Sequence, residues 1–306
     1  MKKVLGLIVA LVCAVSLQAK GDLHLFEIPN KDGAITPLEV EKALTDNGFT
    51  LGVNSEMNYP FTKQFKQTDY KVFTLLTVFH SEYAPKLVNK YPQAGALTPM
   101  GVGIYQSLKD DSIHLSLLTA DAQSKILGVK DELLTKIEAD ALSAIKKSFP
   151  NAKHSLSEDS LKEQRDLITQ YALNLSADAD ADEAKDEFEM MLESGFDPHG
   201  FVMPAYLDLN EVIEESEGES AYDFYVTYSI CKLEVIYTVS KERPEAAAFA
   251  PCTTMVYKKK DENKIVVGFP AVYNWMSSAH VVSQDAKDVL LKAQEDFESI
   301  LESVTE

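Results

Sequence analysis

Alternating and apolar runs divide the chain into two similar series of predicted strands. The first series covers residues 23–28, 50–54, 71–79, 101–107 and 112–119, and the second covers 170–175, 201–207, 223–231, 253–259 and 264–270. Runs of this length and alternation are typical of β-strands. Short charged turns at 109–111 and 261–263 separate the last two strands of each series, which predicts two hairpins.

Each series also carries two amphipathic helix patterns. The first pattern, EVEKALTDNGF at 39–49 and EFEMMLESGF at 187–196, contains a glycine suited to a left-handed helix cap. The second pattern places apolar residues at helical spacing over 133–145 and 289–301. The order β-α-β-β-β-β-α therefore occurs twice. We expect an α+β fold, in which each antiparallel sheet is covered by helices on one face.

An internal repeat supports this division. An offset of 152 aligns residues 70–113 with 222–265, and eight of the 44 aligned positions are identical. The stretches PQAGALTPMGVGIY and PEAAAFAPCTTMVY share the frame P-x-A-x-A-x-x-P, followed after five residues by Tyr. We expect a first domain over 20–150, a linker over 151–169 and a second domain over 170–306. The linker pattern predicts a polar helix from about 157 to 168, with Ser157 as its N-cap.

The first 19 residues are typical of a secretory signal peptide. Lys2 and Lys3 precede the apolar run from Val4 to Val15, and Ala19 supplies the small residue before a cleavage point. The run is shorter than the roughly 20 residues that a membrane-spanning helix needs. We expect export to the periplasm or outside the cell, with no stable membrane span after cleavage. A lipoprotein signal at Cys13 and an uncleaved anchor are the alternatives.

The charge of the chain limits its partners. The formal net charge is −19, and it becomes −21 when Lys2 and Lys3 leave with the signal. Such a chain repels nucleic acid and anionic lipid, so a nucleic-acid-binding role is excluded. In the simpler interpretation the negative charge keeps the protein soluble. In the more specific interpretation it attracts a cationic partner or metal ions.

The proline motifs and the hairpins resemble a known family. VFHSEYAPKLVNKYPQAGALTPMGVGIYQSLKDDSIHLSLL resembles the central motif of the DUF302 family, and YTVSKERPEAAAFAPCTTMVYKKKDENKIVVGFPAVYN resembles it from Pro244 onward. The resemblance implies a compact β-α-β4-α fold similar to the TATA-binding-protein-like class, and it implies that single-domain members of the family tend to pair as dimers. A tandem duplication would form such a pair within one chain, as a pseudo-dimer. It implies no catalytic residue, because the family has no established activity. The sequence departs from the family at His80-Ser81-Glu82 and Lys232-Leu233-Glu234, where members often have a Gly-Asn-Pro-like turn.

Cys231 and Cys252 are the two cysteines that remain after signal cleavage. Cys231 closes one predicted strand and Cys252 opens the next, which can bring the two within disulfide reach. A structural disulfide, two buried free thiols and a redox-active pair are all compatible with the sequence.

Local signatures of catalysis and metal binding are missing from the sequence. There is no G-x-S-x-G and no C-x-x-C-H, and the six histidines show no metal-ligand spacing. We therefore predict no catalytic and no metal-ligating residue, and the cofactor is unknown. Carboxylates at 178, 180, 182, 186 and 189 match positions of a calcium loop, but Glu183 stands where that loop needs glycine. A helix start is the preferred interpretation.

The leading functional interpretation is an exported, non-enzymatic binding or interaction module that takes a small ligand or a protein partner. The alternative is a periplasmic enzyme, or a redox or metal accessory protein, with its site between the two domains. The candidate residues for that inter-domain ligand site are His80, Glu82, Tyr105 and Tyr257.

Overall fold

The computed structural model describes residues 21–162 and 167–306. The first half contains β1 (Leu23–Pro29), α1 (Pro37–Thr45), β2 (Phe49–Glu56), α2 (Asn58–Phe65), β3 (Tyr70–His80), α3 (Tyr83–Lys90), β4 (Met100–Ser107), β5 (Ser112–Leu118), α4 (Ala120–Leu127), α5 (Glu132–Ser148) and β6 (Lys153–Leu156). The second half contains β7 (Ile168–Asn174), α6 (Ala181–Ser194), β8 (Phe201–Asp208), α7 (Leu209–Glu217), β9 (Tyr222–Lys232), α8 (Leu233–Ser240), β10 (Cys252–Lys259), β11 (Lys264–Pro270), α9 (Tyr273–Ser278) and α10 (Gln284–Thr305). The α+β class is confirmed, with two tandem α+β domains.

Each half builds one antiparallel sheet with the same strand order. The first sheet runs β2-β3-β4-β5-β1-β6, and the second runs β8-β9-β10-β11-β7 when it is read from β8. The predicted strands and the two long helices of each half are present. Short helices that the apolar pattern did not predict, such as α2 and α7, follow the second strand of each half.

Two short 3-10 helices carry the proline motifs, and each packs on the sheet of the other half. The first proline segment (Pro92–Leu97) contacts β10 and β11, and the second proline segment (Pro244–Phe249) contacts β4 and β5. Glycines make this approach possible. A Cβ on Gly101 would lie 2.5 Å from the Ala248 carbonyl oxygen, and one on Gly103 would lie 2.6 Å from Ala247 Cβ. The two halves are therefore interlocked through the faces of their sheets.

The hydrophobic core follows from this packing. One face of the first sheet packs on α1 and α5, with Ile104 of β4 and Ile137 of α5 buried in the same cluster. A second cluster contains residues of both halves, such as Phe61 and Phe73 from the first and Tyr237 from the second. Because this core is shared, the halves depend on each other for burial of apolar surface.

The predicted linker helix over 157–168 is wrong in the residues that the structure describes. Residues 157–162 are not helical, and Ile168 already begins β7; residues 163–166 lie outside the described part. Instead, β6 adds to the first sheet beside β1, and the Ser157 hydroxyl accepts a hydrogen bond from the Leu23 amide at 3.0 Å. The extended pairing with β1 places Ser157 against a strand, where it cannot cap a helix.

In the same described ranges, no helix is both long and apolar enough to cross a membrane. The predicted signal peptide, residues 1–19, lies outside the described residues.

Candidate ligand-binding cleft

A cleft of about 620 Å³ opens in the first half, where β1 and β6 meet the starts of α4 and α5. Its walls are residues of four elements and the turns beside them: Gly21, His24, Thr119, Ala120, Asp121, Ser124, Lys130, Asp131, Glu132, Leu134, Thr135, Glu138 and Leu156. The volume lies within the range of about 300–1,000 Å³ that small-molecule sites occupy. Apolar walls and charged groups meet here, as they do in ligand sites.

His24 is a buried histidine at the base of this cleft, 6% exposed. It lies on β1, which has β5 on one side and β6 on the other. Its Nε2 is 2.8 Å from Glu138 Oε1, and its Nδ1 is 2.9 Å from His154 Nε2. Both ring nitrogens therefore have partners, and the imidazole is held in one orientation.

Glu138 projects from α5 and meets two donors with one oxygen. Its Oε1 faces His24 and also accepts the Ala120 amide at 2.8 Å. Burial raises the pKa of the Glu138 carboxyl, but the hydrogen bonds from His24 and Ala120 outweigh burial and hold the pKa below its ordinary value. Glu138 is thus a carboxylate at neutral pH. Among the described residues, none donates a hydrogen bond to its second oxygen, Oε2.

His154 extends the hydrogen-bonded chain to the protein surface. It lies on the exposed edge strand β6, and its ring stacks on Phe26 at a centroid distance of 4.5 Å. Burial of the ring, followed by the charges of His24 and Lys146, lowers the pKa of His154. The neutral imidazole is therefore the favoured form beside His24.

The second half repeats this arrangement with uncharged groups. Thr169 of β7 pairs with Phe269 of β11, and His24 of β1 pairs with Leu117 of β5. The offset of 152 relates Leu117 to Phe269, so Thr169 is the counterpart of His24. Gln294 of α10 accepts the Val272 amide at 3.0 Å and donates to the Thr169 hydroxyl at 2.6 Å. An amide and a hydroxyl thus stand where the first half has a carboxylate and an imidazole.

Residues 178–304 match the family model DUF302, a domain of unknown function. The match lies within the second half, from the residues before α6 into α10, and does not include β7 or the cleft. A similar solved structure is that of an uncharacterized conserved protein DUF302 from Bacillus stearothermophilus, at 14% sequence identity and a TM-score of 0.38. That similarity covers 46% of this chain and 98% of the other chain. No curated protein matches the sequence.

His80 and Glu82, two of the predicted inter-domain residues, lie at the start of α3 in the half that precedes the DUF302 match. His80 Nδ1 accepts the amides of Glu82 and Tyr83, both at 3.2 Å, and its Nε2 is 3.2 Å from Asp140 Oδ2. The Glu82 side chain is exposed and pairs with Lys86 at 3.0 Å. His80 therefore organises the start of a helix, and Glu82 points to solvent.

Tyr105 and Tyr257 occupy the same register position in the two sheets, paired with Phe73 and Tyr225 respectively. Their surroundings differ. Tyr105 stacks on His114 at 5.2 Å, whereas Tyr257 stacks on Tyr225 at 5.1 Å in the DUF302-matching half. The four predicted residues are not brought together in one site, and a ligand role for them stays a prediction.

A cleft between the halves lies beside the turn from β9 to α8, and not beside the turn from β3 to α3 that carries His80 and Glu82. It has a volume of about 450 Å³, and its lining includes Met57 and Leu75 of the first half and Lys232 and Glu234 of the DUF302-matching half. With the offset of 152, Lys232 and Glu234 are the counterparts of His80 and Glu82. We name this the seam cleft.

Cys231 and Cys252 are free thiols in the structure, and both border a small cavity of about 40 Å³. Burial raises the pKa of each thiol to about 12, and for Cys252 the nearby Cys231 adds to the effect. Both sulfurs are therefore protonated at neutral pH. A disulfide between them stays one of the alternatives that the sequence leaves open.

The acidic run at 178–189 in the DUF302-matching half begins α6, as the helix-start interpretation predicts. Asp180 caps the helix by accepting the amides of Asp182 and Glu183, both at 3.0 Å. Within the described ranges, no three histidine, cysteine or acidic side chains are grouped as a metal site.

The sequence interpretation missed the cleft residues because they are far apart in the chain. His24 is 114 residues from Glu138 and 130 residues from His154. The sheet order places β6 beside β1, and the packing of α5 on this sheet brings Glu138 to His24. The one sequence signal is His24 itself, a polar residue within a predicted strand.

Proposed function

We propose that the protein is an exported, non-enzymatic binding module and that its ligand site is the cleft at Glu138 and His24. The observation that carries this proposal is an ionised carboxylate, fixed by two donors, in the wall of a cleft of about 620 Å³. A side chain held in this way loses little conformational entropy when a ligand binds. Such preorganisation is typical of recognition sites.

Two of the hydroxyl groups that line the cleft are already hydrogen-bonded to the backbone, which favours binding over catalysis. The Thr119 hydroxyl accepts the Ala122 amide at 3.1 Å, and the Ser124 hydroxyl donates to the Val129 carbonyl. Neither hydroxyl is placed against His24, whose nitrogens are already engaged. An activated nucleophile needs a base within hydrogen-bond reach. These groups are arranged to hold the walls of the cleft.

We further infer that the chain arose by duplication of one DUF302-like domain, so that the first half is a diverged copy of the second. The shared strand order and the offset of 152 between the proline motifs support this. Divergence of the first copy would then have produced the cleft, with Glu138 and His24 in place of Gln294 and Thr169.

A library of small metabolites, screened by protein-observed NMR on residues 20–306, tests the binding site. We expect a binder whose chemical-shift changes centre on Leu134 and Thr135. Thr135 is exposed in the wall of the cleft, so Thr135→Trp should abolish binding. Ser143→Trp, an exposed position farther along α5, is the matched control and should leave binding intact. Binders that map only to the seam cleft would contradict the assignment.

Export is tested separately by intact mass spectrometry of the protein from cell fractions. We expect a chain that begins at Lys20 and is recovered outside the cytoplasm. A full-length chain in the cytoplasmic fraction would overturn this part of the proposal.

A further inference from the structure

We propose that the cleft takes an organic cation, an ammonium or guanidinium group on an apolar body, which pairs with Glu138. This inference rests on the proposed function and names the ligand class of the same site. Glu138 is 20% exposed and lines the cleft, while its Oε1 is saturated by His24 and Ala120. Oε2 has no donor among the described residues, so the site presents a fixed acceptor for an N–H donor.

The balance of charge in the lining favours a cation. Four carboxylates line the cleft against a single lysine: Asp121, Asp131, Glu132 and Glu138, with Lys130 as the cation. Three of these carboxylates also meet cationic groups, since Asp121 pairs with Lys125, Asp131 with Lys90 and Glu132 with Lys136. No lysine or arginine in the described part of the chain pairs with Glu138, whose one side-chain partner there is His24, a histidine that shares its other nitrogen with His154. It is therefore the carboxylate with the most unbalanced charge.

The two helix starts in the cleft are poor anion sites. Free amides at a helix start attract anions, but here side chains of the protein already accept three of them. In α4 the Ala120 amide donates to Glu138 and the Ala122 amide donates to Thr119. In α5 the Leu133 amide donates to Asp131 at 3.0 Å. An anionic ligand would meet carboxylates in place of these donors.

Apolar walls indicate an organic cation. Ala120, Leu134 and Leu156 face the cleft together with the charged groups. Burying the carbon chain of a ligand against these side chains adds affinity, which a hydrated metal ion cannot gain. The described residues also form no group of three metal ligands.

In the second half, a glutamine occupies the place that Glu138 has in the first. Gln294, 2% exposed, accepts the matching helix-start amide and donates to Thr169 on the matching strand, and its side-chain amide also donates to Glu298 Oε1 at 2.7 Å. A glutamine at 138 can accept the Ala120 amide in the same way. The charge of Glu138 is therefore available for a ligand, and Glu138→Gln is a variant that should keep the fold.

The test compares three probes with one carbon chain: n-hexylammonium, n-hexanol and n-hexanoate. Dissociation constants are measured by NMR titration of the amides of Leu134 and Thr135 in residues 20–306. We expect n-hexylammonium to bind at least tenfold more tightly than the other two, and Glu138→Gln to remove that preference. Glu295→Gln is the charge-matched control, because Glu295 lies on α10 outside the cleft, is 75% exposed and is already paired with Lys292, and it should change affinity less than threefold. An unchanged thermal unfolding midpoint of Glu138→Gln would verify its fold.

The possible failures are distinguishable. Tighter binding of n-hexanol or n-hexanoate at Leu134 and Thr135 would overturn the cation and leave the binding site standing. Equal losses in Glu138→Gln and Glu295→Gln would also overturn it, since the general acidity of the chain would then explain the preference. If no probe perturbs these amides in the unmodified protein, the cation is refuted for this cleft. If the metabolite screen also finds no binder there, the proposed function falls with it.

Discussion

Tyr222 donates a hydrogen bond to the backbone carbonyl oxygen of Val88 at 2.7 Å, across the junction of the two halves. The reciprocal contact is present: Tyr70 donates to the carbonyl oxygen of Ser240. Tyr70 and Tyr222 are related by the offset of 152, and so are Val88 and Ser240. In a two-fold dimer, residue i contacts residue j and residue j contacts residue i. The two halves of this chain meet in that way.

These tyrosines should stabilise the junction measurably. Tyr222→Phe removes the donor and leaves the Val88 carbonyl without it in a buried place, which costs about 1–3 kcal/mol in free energy of unfolding. Denaturant unfolding monitored by circular dichroism measures the loss. Tyr59→Phe is the control, since Tyr59 is 71% exposed and should change stability by less than about 0.5 kcal/mol. Equal stability of both variants would show that the hydrogen bond contributes nothing.

Gly95 should be intolerant of any side chain. A Cβ there would lie far inside van der Waals contact of the Tyr225 hydroxyl, which itself donates to the Pro92 carbonyl at 2.6 Å. We expect Gly95→Ala to lower the free energy of unfolding by about 1–3 kcal/mol through overpacking. Gln93→Ala, in the same proline segment, serves as the control. Adding Tyr225→Phe should recover part of the loss, and a purely additive double variant would contradict the steric explanation.

The sequence predicted the sheets well because strand alternation is a local property. It did not predict α8, whose residues Val235, Ile236, Tyr237 and Val239 have strand-like propensity. Burial decides their conformation, since all four lie in a core that both halves share. Local preference is overridden where tertiary contacts are this extensive.

The cleft was harder to predict than the fold, for a geometric reason. Glu138 lies on the predicted helix over 133–145, and on sequence alone it is one of many acidic residues. Its role depends on β6, a strand of four residues that pairs with β1 and carries His154. A strand so short gives almost no periodic signal, so its neighbours could not be predicted.

The two cysteines should be unreactive in the folded protein. Burial raises the pKa of both thiols to about 12, so the reactive thiolate is scarce at pH 7. We expect no reaction with a thiol reagent in native buffer over the time in which a free thiol reacts fully. In denaturant without reductant, two thiols per chain should then titrate. A count of zero there would establish a disulfide between Cys231 and Cys252, and rapid native labelling would contradict the burial.

Acid should weaken the attachment of β6 through His154. The pKa of His154 is lowered in the folded state, chiefly by burial, so the unfolded chain binds this proton first as the pH falls below about 6.5. The stabilising contribution is therefore present above pH 6.5 and is lost as the pH falls through the folded pKa.

The 2.9 Å contact between His24 and His154 accommodates one shared proton, and a second would place two cations face to face. The hydrogen-exchange protection factors of the amides at 153–156, which are corrected for the intrinsic exchange rate at each pH, should fall between pH 7 and 5.5. His154→Gln should flatten this dependence, whereas His199→Gln, in the turn before β8 of the second half, should leave it unchanged. If His154→Gln loses protection at 153–156 to the same extent, the acid response would belong to another group.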